Sequence, residues 1–251
     1  MSKYKYGTGT TDQPYEKPDT DTVLWRYMDF VKYVSMLSSE ALFFANSSQF
    51  QDPFEGAVGA EVLMDEWKRR FREWYKDVHT PEEIELLIQG FHMTYSMLKD
   101  GTVINCWYKS KGESEAMWRL YSTDTNNAIA IRTNVGKLKA SLPGTKQFEI
   151  GKVIYYDYDE PISNPNITFW FKRQSFAHEK EVRVIHRVAP QVGCNGVLIP
   201  VDLRLLIDKV YISPLASSWL LDLVKDVSLK YGFEVEVDKS EIAQLPIKFD
   251  K

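Results

Sequence analysis

What this chain lacks narrows its chemistry quickly. It has two cysteines, Cys106 and Cys194, far apart and each in or beside an apolar run, so a reduced, cytoplasmic protein is expected rather than a disulfide scaffold. Four histidines occur, His79, His92, His178 and His186, none with a second His or Cys at metal-ligand spacing. A metal centre is therefore not expected. No G-x-G-x-x-G and no G-x-x-x-x-G-K-[ST] pattern appears, which argues against Rossmann and P-loop phosphate chemistry. Net charge is −4, with Lys and Arg spread along the chain; no bulk nucleic-acid-binding surface follows from that, although a small nucleotide is still allowed. No apolar run approaches the ~18 residues of a membrane span, and Met1–Asp21 is polar without the apolar stretch of a signal peptide. A chain with no membrane partner and no export is expected.

What is present suffices for a large core: 44% of residues are hydrophobic and 14% aromatic. The order of periodic segments predicts an α+β fold, a flexible N-terminal segment over 1–21 and then a single domain over 22–251. Its sheet is expected to be mixed and mostly antiparallel, flanked by helices. Val23–Met28 reads as a first strand, followed by a helix from Asp29 to about Ser39 with Phe30, Val31, Val34 and Leu37 on one face. A strand at Ala41–Ala45 leads into a polar loop. Residues 57–99 read as a two-helix insertion, the second helix opened by Thr80-Pro81-Glu82-Glu83, which supplies an N-cap, a proline in the first turn and a capping-box glutamate. Strands are expected at Thr102–Tyr108, Ala128–Arg132, Phe148–Tyr158, Glu181–Val188, Gly196–Val201, Lys209–Ile212 and Phe233–Val237. Short helices follow Ser114 and Asn134, and a longer one runs from Ser218 to Tyr231.

Four segments carry more polar and aromatic groups than a plain core needs. They are Leu24-Trp25-Arg26-Tyr27, the loop Asn46–Glu55 with Asp52-Pro53-Phe54-Glu55, Met117-Trp118-Arg119-Leu120-Tyr121, and Phe176–Arg183 with Glu179, Glu181 and Arg183. Each lies where a strand meets a turn or helix start, where side chains from separate segments converge on a cleft. Each also has a plain structural reading. Asn46 and Asp52 could bond loop amides while Phe50 and Phe54 fill the core, and Trp118 could be core packing with its N–H satisfied locally. Glu179-Lys180-Glu181-Val182-Arg183 could be a solvated edge strand, with Glu179, Glu181 and Arg183 on one face. The alternative is a cleft in which an arginine neutralises one carboxylate and leaves the other to work. Four acids, Asp52, Glu55, Glu179 and Glu181, are too many to gather unpaired, so close contact with Arg26, Arg119 or Arg183 is expected.

Taken in order over residues 22–215, these segments resemble the successive motifs of a bacterial family known only as domain-of-unknown-function family 2971. Gln51 stands where asparagine is common, Phe176 where tryptophan is, and Asn127-Ala128 where a glycine is usual. More distantly, the motif order resembles that of ADP-ribosyltransferase-fold proteins. That resemblance implies NAD as substrate and a protein or nucleic-acid target. It implies Glu181 as the carboxylate stabilising an oxocarbenium-like transition state, Arg26 or Tyr27 as clamp and Tyr121 as the ring stacked on nicotinamide, with Tyr27, Asn46, Asp52, Glu55, Trp118, Glu179 and Arg183 lining the site. The competing function is a non-catalytic ligand-binding or regulatory module whose carboxylates are matched to arginines in a structural network. The two differ at one atom: whether Glu181 keeps a free oxygen.

Overall fold

The computed structural model describes residues 15–50, 52–57, 59, 61–157, 165–190 and 193–244. Within them the chain runs β1 (Val23–Asp29), α1 (Phe30–Ser39), β2 (Ala41–Asn46), α2 (Met64–Tyr75), α3 (Pro81–Asp100), β3 (Thr102–Lys109), α4 (Glu115–Leu120), β4 (Ala128–Asn134) and α5 (Val135–Ser141). It continues through β5 (Phe148–Lys152), β6 (Ile154–Tyr156), β7 (Phe171–Arg173), β8 (Glu181–Arg187), β9 (Gly196–Pro200), α6 (Leu203–Leu206), β10 (Lys209–Ile212), α7 (Ser218–Lys230) and β11 (Val237–Lys239). The fold mixes helix and sheet, and the pairings are mostly antiparallel, with β6–β7 and β10–β11 parallel.

The single domain expected over 22–251 is organised as two compact units that the chain enters three times each: residues 1–17, 44–105 and 147–197 in the first, and 18–43, 106–146 and 198–251 in the second. In the second unit β1 lies antiparallel between β4 and the end of β3, with Leu24 opposite Lys109 and Arg26 opposite Ile131. Next, β10 pairs with β4 and β11 with β10. Its aromatic core gathers Trp25, Tyr27, Met117, Trp118 and Tyr211 over Ala128 and Ala130. Helix α1 turns Tyr33, Met36 and Leu37 inward, and the Tyr33 hydroxyl meets Ser228 of α7 at 2.8 Å. Val31, expected on the buried face, is 76% exposed. Phe30, Val31, Tyr33, Val34, Met36 and Leu37 are all apolar, so periodicity marked a helix and left its rotation to the partner.

In the first unit β8 pairs with β3 and with β5, so it is buried on a central line and is not the solvated edge strand that its charges suggested. The expected long strand Phe148–Tyr158 is broken at Val153, whose N–H donates to the Glu181 carbonyl, and β6 then pairs with β7 instead; residue 158 lies outside the described residues. Of the helical insertion, α3 starts on a complete capping box between Thr80 and Glu83. α2 begins only at Met64, after a short 3-10 turn, and no side chain caps it. Trp67 and Phe71 of α2 pack on Ile84 and Ile88 of α3. At the other end of the chain, the strand expected at Phe233–Val237 starts only at Val237. Phe233 N–H still bonds the Ser228 carbonyl, closing α7 around Gly232 at φ +69. Of the segment expected to be flexible, residues 1–14 lie outside the described residues, whereas Tyr15 is buried and stacks on Trp170 with ring centroids 3.9 Å apart.

Candidate functional site

Five ionisable side chains, Glu55, Lys172, Glu179, Glu181 and Arg183, converge in the first unit. The turn Asp52–Glu55 closes on itself, Glu55 N–H donating to the Asp52 carbonyl at 3.0 Å and Phe54 N–H to Asp52 Oδ1 at 3.1 Å. Asp52 also holds Arg173, through Nε at 3.1 Å and Nη2 at 2.9 Å. This turn aims Glu55 inward, and Gly56 lets it lie flat: its φ is +74, and a Cβ there would meet the Phe169 ring at 2.7 Å. From the other side comes the 3-10 turn Gln174–Glu179, closed by Lys180 at φ 41, after which β8 begins.

Arg183 is the hub. Its Nη2 donates to Glu55 Oε2, its Nε to Glu181 Oε2 and its Nη1 to the Phe169 carbonyl, each at 2.7 Å. Lys172 of β7 binds the remaining oxygens, Glu181 Oε1 at 2.7 Å and Glu55 Oε1 at 3.1 Å, and also Glu179 Oε2. The side chains of Glu55, Glu181, Arg183 and Lys172 are all below one-tenth exposed. Tyr155 accepts the Glu181 backbone N–H at 2.8 Å, and the Phe176 ring lies 4.9 Å from the Lys172 ammonium.

The environment separates the two neighbouring acids. Burial pushes the Glu179 carboxyl up, and the hydrogen bond it shares with Glu181 pushes it further, to about 7 against the pull of Lys172. For Glu181 burial works in the same upward sense, yet Arg183, the hydrogen bond shared with Glu179 and then Lys172 together outweigh it and hold the carboxylate well below the usual range. Lys172 is disfavoured by burial but kept charged by Glu181 and Glu55, above its ordinary range.

The expected contact between the acids and an arginine is present at Arg183, not at Arg26 or Arg119. Arg119 is exposed on α4 and pairs with Glu115 one turn away. Asn46 spends its amide locally, Nδ2 on the Asp100 carbonyl and Oδ1 on Ser48 N–H, both within the first unit. Lys172 was not legible as a site residue from spacing. The signal available was one lysine directly after the aromatic run Phe169-Trp170-Phe171, just before Arg173.

The remaining predicted residues belong to the second unit. Tyr27 is buried, accepts Ser114 N–H at 2.9 Å and sets its ring edge-on to Trp118 at 4.9 Å. Trp118 donates Nε1 to Glu113 Oε2 at 2.9 Å. Both fit the plain structural reading, as core aromatics whose polar ends are satisfied. Tyr121 ends α4 at 40% exposure. Arg26 points to the opposite face of β1 from Tyr27, its Cζ 5.8 Å from the Trp107 ring. Its Nη1 is buried with no hydrogen-bond partner among the described residues, and burial lowers the guanidinium to about 10.

No protein-family profile and no curated protein matches this chain, so the resemblance to domain-of-unknown-function family 2971 gains no support. Solved structures similar to it include DarT from Thermus sp. 2.9 in complex with NAD+, with a TM-score of 0.43, 10% identity, and coverage of 90% of this chain and 99% of that one. The same protein in complex with ADP-ribosylated ssDNA gives 0.42, 12%, 92% and 100%. Among the described residues no group of His, Cys, Asp and Glu is arranged to hold a metal ion, and no helix is long and apolar enough to cross a membrane.

Proposed function

We propose that this chain is an ADP-ribosyltransferase-like enzyme that takes NAD as substrate, with its chemistry at the Glu179–Glu181 pair. One observation carries the reading: a buried carboxylate and a partly buried one share one ammonium while their surroundings drive their proton affinities apart, Glu179 to about 7 and Glu181 far down. Environments that separate two acids in this way mark acid and base roles. As the bond from ribose to nicotinamide breaks, positive charge grows on the sugar, and a carboxylate already ionised and held stabilises it without reorganising. Glu181 meets that demand. The unpartnered Nη1 of Arg26 supports a separate role in the second unit, as a donor to an anionic group.

The second reading, a non-catalytic module built around a structural network, is favoured by a specific fact. Both oxygens of Glu181 are already taken, one by Lys172 and one by Arg183. The deciding experiment is nicotinamide release from NAD, with protein and single-stranded DNA acceptors present, alongside NAD binding read by thermal shift. Under the enzyme reading Glu181→Gln keeps binding and lowers turnover roughly 10²-fold or more, because the lost charge acts on the transition state. Under the structural reading the wild type neither shifts with NAD nor releases nicotinamide, and Glu181→Gln lowers only the melting temperature.

A further inference from the structure

The buried cluster holds an odd charge. Among the described residues Glu55, Glu179 and Glu181 bring three carboxylates against the two cations Lys172 and Arg183, one negative charge more than those cations match, on side chains no more than 11% exposed. Burial disfavours such a surplus, and the simplest relief is one proton. Geometry says where that proton goes. Glu55 and Glu181 each touch both cations, whereas among the described residues Glu179 has Lys172 as its one cationic partner.

We propose that Lys172 is the positioning residue of this cluster: by reaching Glu55 and Glu181 together it keeps both ionised and leaves the exchangeable proton on Glu179. Among the described residues three charged or titratable groups face Glu179, namely Lys172 from β7, Glu181 from the start of β8 and Tyr155 from β6. Glu55 and Arg183 act on it through Lys172 and Glu181. The catalytic consequence rests on the ADP-ribosyl transfer reading. Glu181 stays charged across the neutral range because the proton that burial demands sits next door. Without the lysine charge the surplus doubles, and Glu181 must share a proton at the pH where its charge is needed.

The test has two arms. In the first, glutamate side chains labelled with 13C at Cδ are titrated by NMR in the folded protein. The wild type should show one carboxyl with its midpoint near 7, absent in Glu179→Gln and retained in Lys172→Arg. In Lys172→Met it should move up by about one to three pH units, since an opposite charge at this range lowers a carboxyl by about that much. A neutral titration that survives Glu179→Gln, or one unmoved in a folded Lys172→Met, overturns the proposal. Should Lys172→Met not fold, Glu179→Gln and Lys172→Arg still decide. In the second arm, nicotinamide release by Lys172→Met should fall at pH 7 and recover as pH rises, with Lys172→Arg close to wild type; a lysine needed only for shape would lower the rate equally at every pH. Absence of release by the wild type refutes ADP-ribosyl transfer while leaving the titration arm to judge Lys172.

Discussion

The aromatic cluster of the second unit and the charged cluster of the first are both buried, both built from residues the sequence singles out, and opposite in how they are satisfied. Around Trp25, Tyr27 and Trp118 every polar tip has a local answer: Trp25 Nε1 donates to the Ser110 carbonyl at 3.1 Å, Trp118 Nε1 to Glu113, and Ser114 N–H to the Tyr27 hydroxyl. In the Lys172–Arg183 cluster every group is also bonded, yet among the described residues the carboxylates outnumber the cations, an imbalance that one proton relieves. A satisfied aromatic core needs no function to explain it, whereas a buried, charge-odd cluster costs stability and calls for one.

The largest effect should come from Arg183→Met. The substitution leaves Glu55 and Glu181 buried with Lys172 as their one cation among the described residues and takes a donor from the Phe169 carbonyl. Removing one partner of a buried ion pair costs about 3–5 kcal/mol, because an uncompensated charge stays behind. Urea denaturation at pH 7 should show a loss of that size. A loss under about 1 kcal/mol would mean the cluster opens to water in solution. Gly56→Ala should follow, at about 1–3 kcal/mol, since it combines a left-handed backbone with a contact against Phe169. A near-neutral result would mean that the Asp52–Glu55 turn does not hold its place against Phe169.

The sequence disclosed local structure better than this cluster, for physical reasons. Caps are local chemistry, so Thr80 with Glu83 and Asn134 with the Lys137 amide could be read from spacing alone. Arg183 with Glu181 was also legible, because two residues apart on a strand share a face. Lys172 was not, since it sits in the three-residue strand β7 whose pairing with β6 leaves no periodic mark. The convergence of Glu55 on Arg183 joins residues 128 positions apart, and only the tertiary fold could reveal it. Trp118 and Tyr27 could not be decided from spacing, because an aromatic with a polar tip looks the same in sequence whether that tip meets a ligand or a neighbouring residue.

A smaller and more specific effect separates the clusters by pH. Glu179 has a folded value near 7, above the 4.5 of a free glutamate, so the folded state binds the extra proton between those limits. Its contribution to stability is therefore full below about 4.5, falls as pH rises toward 7 and is flat beyond. Glu181, held low, has the opposite sign: its contribution is present above the free value and lost as pH drops below it. Urea midpoints measured from pH 5 to 8 should decline in the wild type and lose that decline in Glu179→Gln. The same substitution should not alter the slope below pH 4.5, where Glu181 dominates. Equal slopes in both proteins from pH 5 to 8 would remove Glu179 as the proton carrier.

The smallest effect is expected at Arg119, and it sharpens the comparison by being small. Its sequence position, between Trp118 and Tyr121, made it a candidate partner for the acids. In the structure it lies on the outer side of α4 and bonds Glu115, four residues earlier, with both side chains more than half exposed. An exposed pair of this kind is screened by water and holds two flexible chains in one geometry, so it contributes roughly 0–0.5 kcal/mol. Arg119→Ala should therefore leave the urea midpoint within error at low and high salt, and should leave the NMR titration of Glu179 in place. A shift in that titration would mean that Arg119 exerts an electrostatic influence on the Lys172 cluster, and the contrast between a self-contained aromatic core and a charge-odd acidic one would no longer hold.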